Sequence, residues 1–169
     1  MTASPATALR VNRRPLIAAA TLLGIGMGGF VDGIVFHQIL QVHNMLSAVR
    51  PPNTVVNLEI NMFWDGLFHA MTWCTTALGL ALLWRAGLRD DVPWSTKTFV
   101  GSLAFGWGVF NLVEGVIDHH ILHVHHVVEG PDHLVYDLAF LGLSLVLIAV
   151  GLAVIRAGRH DRPRGGALR

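Results

Sequence analysis

Four apolar stretches limit what this chain can fold into more than anything else in it: about 15–40, 62–84, 98–122 and 134–155, each broken only by isolated polar residues. A helix rises about 1.5 Å per residue, so ~20 apolar residues cross the hydrocarbon of a bilayer, and all four stretches qualify. Hydrocarbon offers backbone amides no partner, so a spanning stretch must be helical. The expected fold is therefore all-α, a bundle of four transmembrane helices. With 169 residues, 14% of them charged, and a mean hydropathy of +0.53, nothing of useful length remains for a separate soluble domain.

The basic residues set an orientation. Arg10, Arg13 and Arg14 precede the first span, Arg85, Arg89 and Lys97 flank the second connection, and Arg156, Arg159, Arg162, Arg164 and Arg169 follow the fourth span; only Arg50 lies on the other side. Cytoplasmic loops retain Lys and Arg, which places both termini in the cytoplasm and the first and third connections outside. The chain then divides into a cytoplasmic tail over 1–14, a membrane domain over 15–156 and a basic cytoplasmic tail over 157–169. No cleavage signature precedes the first span, which is read as retained. A net charge of +1 gives no reason to expect nucleic acid as a partner.

Across the outer end of the first span runs Val31-Asp-Gly-Ile-Val-Phe-His-Gln-Ile-Leu-Gln-Val-His-Asn44, and 82 residues on stands Val113-Glu-Gly-Val-Ile-Asp-His-His-Ile-Leu-His-Val-His-His126. Val31/Val113, Gly33/Gly115, His37/His119, Ile39/Ile121, Leu40/Leu122, Val42/Val124 and His43/His125 are identical, and Asp32/Glu114 keeps an acid. The same offset pairs Gly24 with Gly106 and Gly26 with Gly108. This pattern reads as a duplicated helical hairpin.

Ionisable groups inside a bilayer cost roughly 2.5 to 3.5 kcal/mol each even on the lenient insertion scale, so they call for partners. Asp32 and His37, Asp65 and His69, Glu114, Asp118 and His119, and Asp132, His133 and Asp137 bring an acid and a histidine from every span to one level near the outer face. Asp65 and His69 share a helix face at i, i+4, as do His133 and Asp137. Asp32 to His37 and Glu114 to His119 are five apart, about 140° around a regular helix, so each pair serves one centre only if the helix distorts. Gly33 and Gly115 follow those acids and suit a bulge or a close helix approach.

Inward carboxylates and imidazoles in a four-helix bundle are a recurrent way to hold one or two metal ions. Oxygen and nitrogen donors without thiolate suit Fe, Zn, Cu(II) or Mn. The expected ligand set is Asp32, His37, Asp65, His69, Glu114, His119, His133 and Asp137, and the expected cofactor is a transition metal, one ion or two. The plainer reading is a set of Asp–His pairs that lock the bundle or pass protons. Oxidoreduction is the reaction class expected of an enzyme here; a metal transporter or chaperone and a bis-histidine haem protein, with His69 and His133 as facing ligands, are the alternatives. His43, His120, His123, His125 and His126 fall beyond the membrane edge, as a metal entry or a solvated tract. The expected partners are the bilayer and the metal ion, with a second copy or a redox protein as further candidates.

Other features have ordinary readings. The glycines of 23–29 lie within a span with no preceding strand, so they suit close packing rather than a nucleotide loop. Trp64, Trp84, Trp94 and Phe63 fit an interfacial aromatic belt, whereas Trp73, Trp107 and Cys74 are expected in the packed interior. Asn57, Glu59 and Asn61 either cap the second helix or close over the site.

Taken together, Gly29-Phe-Val-Asp-Gly-Ile-Val-Phe-His37 with its continuation to His43, Phe63-Trp-Asp-Gly-Leu-Phe-His69, Asn111-Leu-Val-Glu-Gly-Val-Ile-Asp-His-His120 and Pro131-Asp-His133 resemble a bacterial membrane-protein family catalogued as domain of unknown function 2243. The resemblance covers roughly 15–156 and implies a four-helix inner-membrane protein. It brings no catalytic assignment. Gln41 and Asn44 stand where the second copy has His123 and His126.

Overall fold

The computed structural model describes residues 11–161; the tail expectations for 1–10 and 162–169, with Arg10, Arg162, Arg164 and Arg169, lie outside the described residues. Helix α1 covers Arg14–Val31 and runs without a break into a π-helix over Asp32–Ile39. Helix α2 covers Val55–Gly87. Helix α3 covers Thr96–Glu114 and likewise runs into a π-helix, Gly115–Ile121. Helix α4 covers His133–Ala157 and closes in one 3-10 turn, Gly158–His160. The four continuous rods are each long and apolar enough to cross a membrane.

Local chemistry accounts for the helix ends. Pro15 opens α1, where its missing N–H costs nothing. Ser95 caps α3 by accepting the Thr98 N–H at 3.0 Å. Thr54 caps α2 by accepting the Asn57 N–H at 3.2 Å, so the cap falls before the polar triplet rather than on it. Helix α2 thus starts well ahead of the expected 62 and, at 33 residues, is about 50 Å long. Asn61, inside its early turns, is buried and ties down the preceding loop: its Nδ2 donates to the Arg50 carbonyl at 2.7 Å and its Oδ1 accepts the Leu46 N–H at 2.9 Å.

Packing is inverted relative to a protein in water. Most buried positions are small or polar, among them Ala19, Ala20, Ser102 and Ser144, while Leu67, Leu138, Leu145 and Val146 face outward. Hydrocarbon gives no drive to bury Leu, so helices associate where small residues let backbones approach. A Cβ at Gly24 would overlap the Leu103 carbonyl oxygen, and one at Gly106 would overlap the Thr21 carbonyl oxygen. Those two glycines are what let α1 and α3 cross in contact.

The four helices lie in the order α2–α1–α3–α4, with α1 packed on α2 and α3, and α3 on α4. Half of the most apolar window of α1 is buried and 44% of that of α3, against 17% for α2 and 11% for α4. Among the described residues α2 meets α3 only through side chains such as Phe68 and Phe110, whose rings are 6.1 Å apart, and this leaves a cleft between them. Trp73 and Cys74 correct the sequence expectation: both are exposed on α2. An outer helix with one close neighbour has little interior face to offer them. At the end away from the two π-helices, Leu16, Ala86 and Val92 form the apolar core, with Leu83 and Phe99 against it.

Candidate metal centre

The π-helices solve the five-residue spacing. Leu40 N–H donates to the Val35 carbonyl and Leu122 N–H to the Ile117 carbonyl, each at 2.8 Å and each five residues back. Widening the turn in this way brings residues five apart onto one face. His37 Nε2 then lies 3.2 Å from Asp32 Oδ2, and His119 Nε2 lies 2.8 Å from Glu114 Oε1. Both helices end in the same device. Gln41 and His123 adopt left-handed backbone (φ 50° and 49°), and Val42 N–H and Val124 N–H reach back to the Phe36 and Asp118 carbonyls at 3.1 and 3.0 Å. The chain reverses there instead of running on outward.

That reversal returns His43 and His125 to the interior, where they are 3% and 1% exposed. His43 Nε2 lies 3.5 Å from Asp32 Oδ1, and His125 Nε2 lies 2.8 Å from Glu114 Oε1. The two imidazoles stack, centroids 4.9 Å apart and nearly parallel. The ligand atoms of His37, His43 and His125 fall within 4.8 Å of one another, as do those of Glu114, His119 and His125. His125 belongs to both groups, which joins five residues, and Asp32 against His37 and His43 makes six in one cluster: Asp32, His37, His43, Glu114, His119 and His125.

Three of the four rings are hydrogen-bonded on the far side through Nδ1, and the fourth, His119, faces a carboxylate there. His43 Nδ1–H donates to the Val127 carbonyl at 2.9 Å, and His125 Nδ1–H to the Met45 carbonyl at 3.2 Å. His37 Nδ1–H donates to Asp65 Oδ1 at 3.0 Å, and His119 Nδ1 lies 3.2 Å from Asp137 Oδ1. A ring whose Nδ1 carries the proton presents Nε2 as a lone pair. All four Nε2 atoms point into the cluster: that of His125 is hydrogen-bonded to Glu114 Oε1 at 2.8 Å, and those of His37, His43 and His119 are buried with no hydrogen-bond partner. Burial lowers the pKa of His125, in the connection outside the spans, but the Glu114 carboxylate outweighs it and the net shift is upward.

The expected site residues separate into three roles. Asp32, His37, Glu114 and His119 sit in the cluster. Asp65 and Asp137 sit behind it, each holding a ring and the neighbouring loop: Asp65 accepts the Met45 N–H at 2.8 Å and Asn44 Nδ2 at 2.9 Å, and Asp137 accepts the Val127 N–H at 3.0 Å and His126 Nδ1 at 2.7 Å. His69 and His133 stand apart. His69 Nδ1–H donates to the carbonyl of Asp65 on its own helix at 2.7 Å, and His133 Nδ1–H to the Gly130 carbonyl at 2.9 Å. They lie on α2 and α4, whose backbones make no close approach among the described residues.

His43 and His125 are the residues that sequence reasoning placed outside the centre. Their signal was their identity at the 82-residue offset, where Asn44/His126 and Gln41/His123 differ. His123 and His126 have ring centroids 5.9 Å apart and His126 and His133 4.1 Å apart, next to Asp137, which the buried His126 contacts. His120 keeps a buried Nε2 without a partner.

Fold and site together define a membrane protein of four apolar helices with a buried cluster of imidazoles and carboxylates able to take a metal ion. The chain belongs to the DUF2243 family of predicted membrane proteins, whose model matches residues 19–158. No curated protein and no solved structure matches it.

Proposed function

We propose that this is a metal-dependent oxidoreductase of the bacterial inner membrane, with both termini in the cytoplasm, built from a duplicated helical hairpin whose halves each supply two histidines and one carboxylate to a shared centre. The carrying observation is the direction of the four Nε2 atoms, each aimed at a carboxylate oxygen, three of them buried without a hydrogen-bond partner. Lone pairs facing carboxylates repel unless a cation lies between them. Two histidines and a carboxylate per half is the donor set of non-haem iron sites with open positions, and manganese, zinc or copper(II) also accept it.

Protons are the competing cation, and the crowding argues against them. Among the described residues every ion pair to Asp32, Asp65, Glu114 and Asp137 comes from a histidine. Protonating all the rings would pack imidazoliums, those of His37, His43 and His125 with nitrogens within 4.8 Å of one another and His43 and His125 face to face. One or two divalent ions neutralise the same acids from fewer positions. Bound there, the metal supplies electron transfer or Lewis acidity; the chain fixes ring tautomers, excludes water and holds the acids charged. The partners of this reading are the bilayer, the ion and an electron-transfer partner.

The test is elemental analysis of detergent-purified protein. Wild type is expected to carry stoichiometric first-row metal, lost in His43→Ala and His125→Ala and kept in His69→Ala. Metal-free wild-type protein, or metal retained when His125 is removed, overturns the reading.

A further inference from the structure

The space that α2 and α3 leave between them is a cleft of about 380 Å³, large enough for a single substituted ring. Its walls include Phe68, Met71, Phe110 and Val113, and its inner end is closed by Glu114 and Asp118. Val113 and Met71 are exposed on spanning helices, so the cleft opens toward hydrocarbon. Glu114 is the telling residue. Its Oε1 faces both His119 and His125, while its Oε2 is buried with no partner. A buried acceptor without a donor is costly, and a guest bringing an O–H relieves it.

The cleft's chemistry narrows the guest. Two carboxylates at the inner end repel fatty acids and anionic lipid headgroups. The tilted Phe68 and Phe110 rings and the Met71 thioether suit a flat aromatic ring. A second cleft of about 300 Å³ lies between α1 and α4, reaching Asp32, but Phe36 occupies the place of Asp118 there and both Asp32 oxygens already face imidazoles. The unsatisfied acceptor exists on one side alone.

We infer that the α2–α3 cleft binds a bilayer-dissolved aromatic alcohol of the phenol or hydroquinone type, its hydroxyl donating to Glu114 Oε2 and its tail in the lipid. As the identification of a substrate this rests on the metal-centre reading; as a binding site it stands on the cleft.

The test uses full-length protein in phosphatidylcholine nanodiscs, titrated with 4-decylphenol, its methyl ether and decylamine, with metal content measured on the same samples. The phenol is expected to bind saturably and the ether about tenfold or more weakly, as befits a hydrogen bond to a charged acceptor. Val113→Trp and Asp118→Phe are both expected to abolish binding at wild-type metal content; two variants guard against one that misfolds. Equal binding of the ether, tighter binding of the amine, or wild-type phenol binding in both variants overturns the inference. Metal-loaded protein that ignores the phenol defeats this inference alone, and metal-free protein that binds it defeats the metal reading alone.

Discussion

Replacing Asp65 by Asn tests the logic of the centre without touching a proposed ligand. Asp65 Oδ1 accepts His37 Nδ1–H at 3.0 Å and Met45 N–H at 2.8 Å, and Oδ2 accepts Asn44 Nδ2 at 2.9 Å, so three donors converge on one carboxylate. Asparagine is isosteric but offers one acceptor oxygen, leaving a donor facing a donor and removing the charge that holds Nδ1 protonated. A hydrogen bond to a charged group contributes about 1.5–3 kcal/mol, and loss of the partner behind a ligating histidine weakens metal binding about 10–100-fold. The two figures agree, since each factor of ten is about 1.4 kcal/mol. Competition against a chromophoric chelator in detergent at fixed pH measures the affinity. Asp65→Asn is expected to lose that 10–100-fold with the fold intact by circular dichroism, whereas His69→Ala, whose ring bonds only to its own helix, stays within about twofold of wild type, well under 1 kcal/mol. Wild-type affinity in Asp65→Asn, or an equal loss in His69→Ala, refutes the argument that Nδ1 anchoring aims the ligand.

The helix crossing predicts that Gly24→Leu and Gly106→Leu destabilise by about 3 kcal/mol or more, read as a lower melting temperature in detergent, while Gly66→Ala and Gly142→Ala, with nothing within 4 Å of an added Cβ, are neutral or slightly stabilising. Metal binding must displace any proton from the Nε2 atoms, so affinity should fall as pH falls, about tenfold per unit for each proton displaced; chelator competition across pH 6–8 measures the slope, and a flat profile argues against imidazole ligation. Topology is checked by impermeant maleimide on intact cells in a Cys74→Ser background: Arg50→Cys should label and Arg89→Cys only after lysis.

The spans were legible because apolar length is a local property that nothing in the tertiary structure overrides. Asp32, His37, Glu114 and His119 were legible as polar residues that hydrocarbon would not leave unpartnered, and the five-residue spacing foretold that the helix must distort. The left-handed residues were not. Gln41 and His123 carry no glycine to announce a turn, and the reversal they make decides that His43 and His125 face inward. The i, i+4 rule misled at Asp65 and His69: it places both on one face, yet the acid is taken by His37 and the loop, and the His69 ring turns back to the Asp65 carbonyl. Spacing along a helix says which side chains are neighbours and nothing about what arrives from another segment.

What arrives explains why loops and centre form one unit. The connection after the first π-helix supplies Met45, whose carbonyl orients His125, and the connection after the second supplies Val127, whose carbonyl orients His43. The N–H groups of the same two residues are held by Asp65 and Asp137, the acids that lie against the Nδ1 atoms of His37 and His119. Ala48 N–H bonds to the Val124 carbonyl and Ser47 Oγ to Glu129, joining the loops directly. The hydrogen bonds of Met45 and Val127 that fold the loops thus also aim a ring or anchor the acid that does. A loop cannot lift without releasing a histidine on the opposite half, so order in these connections and integrity of the centre rise and fall together.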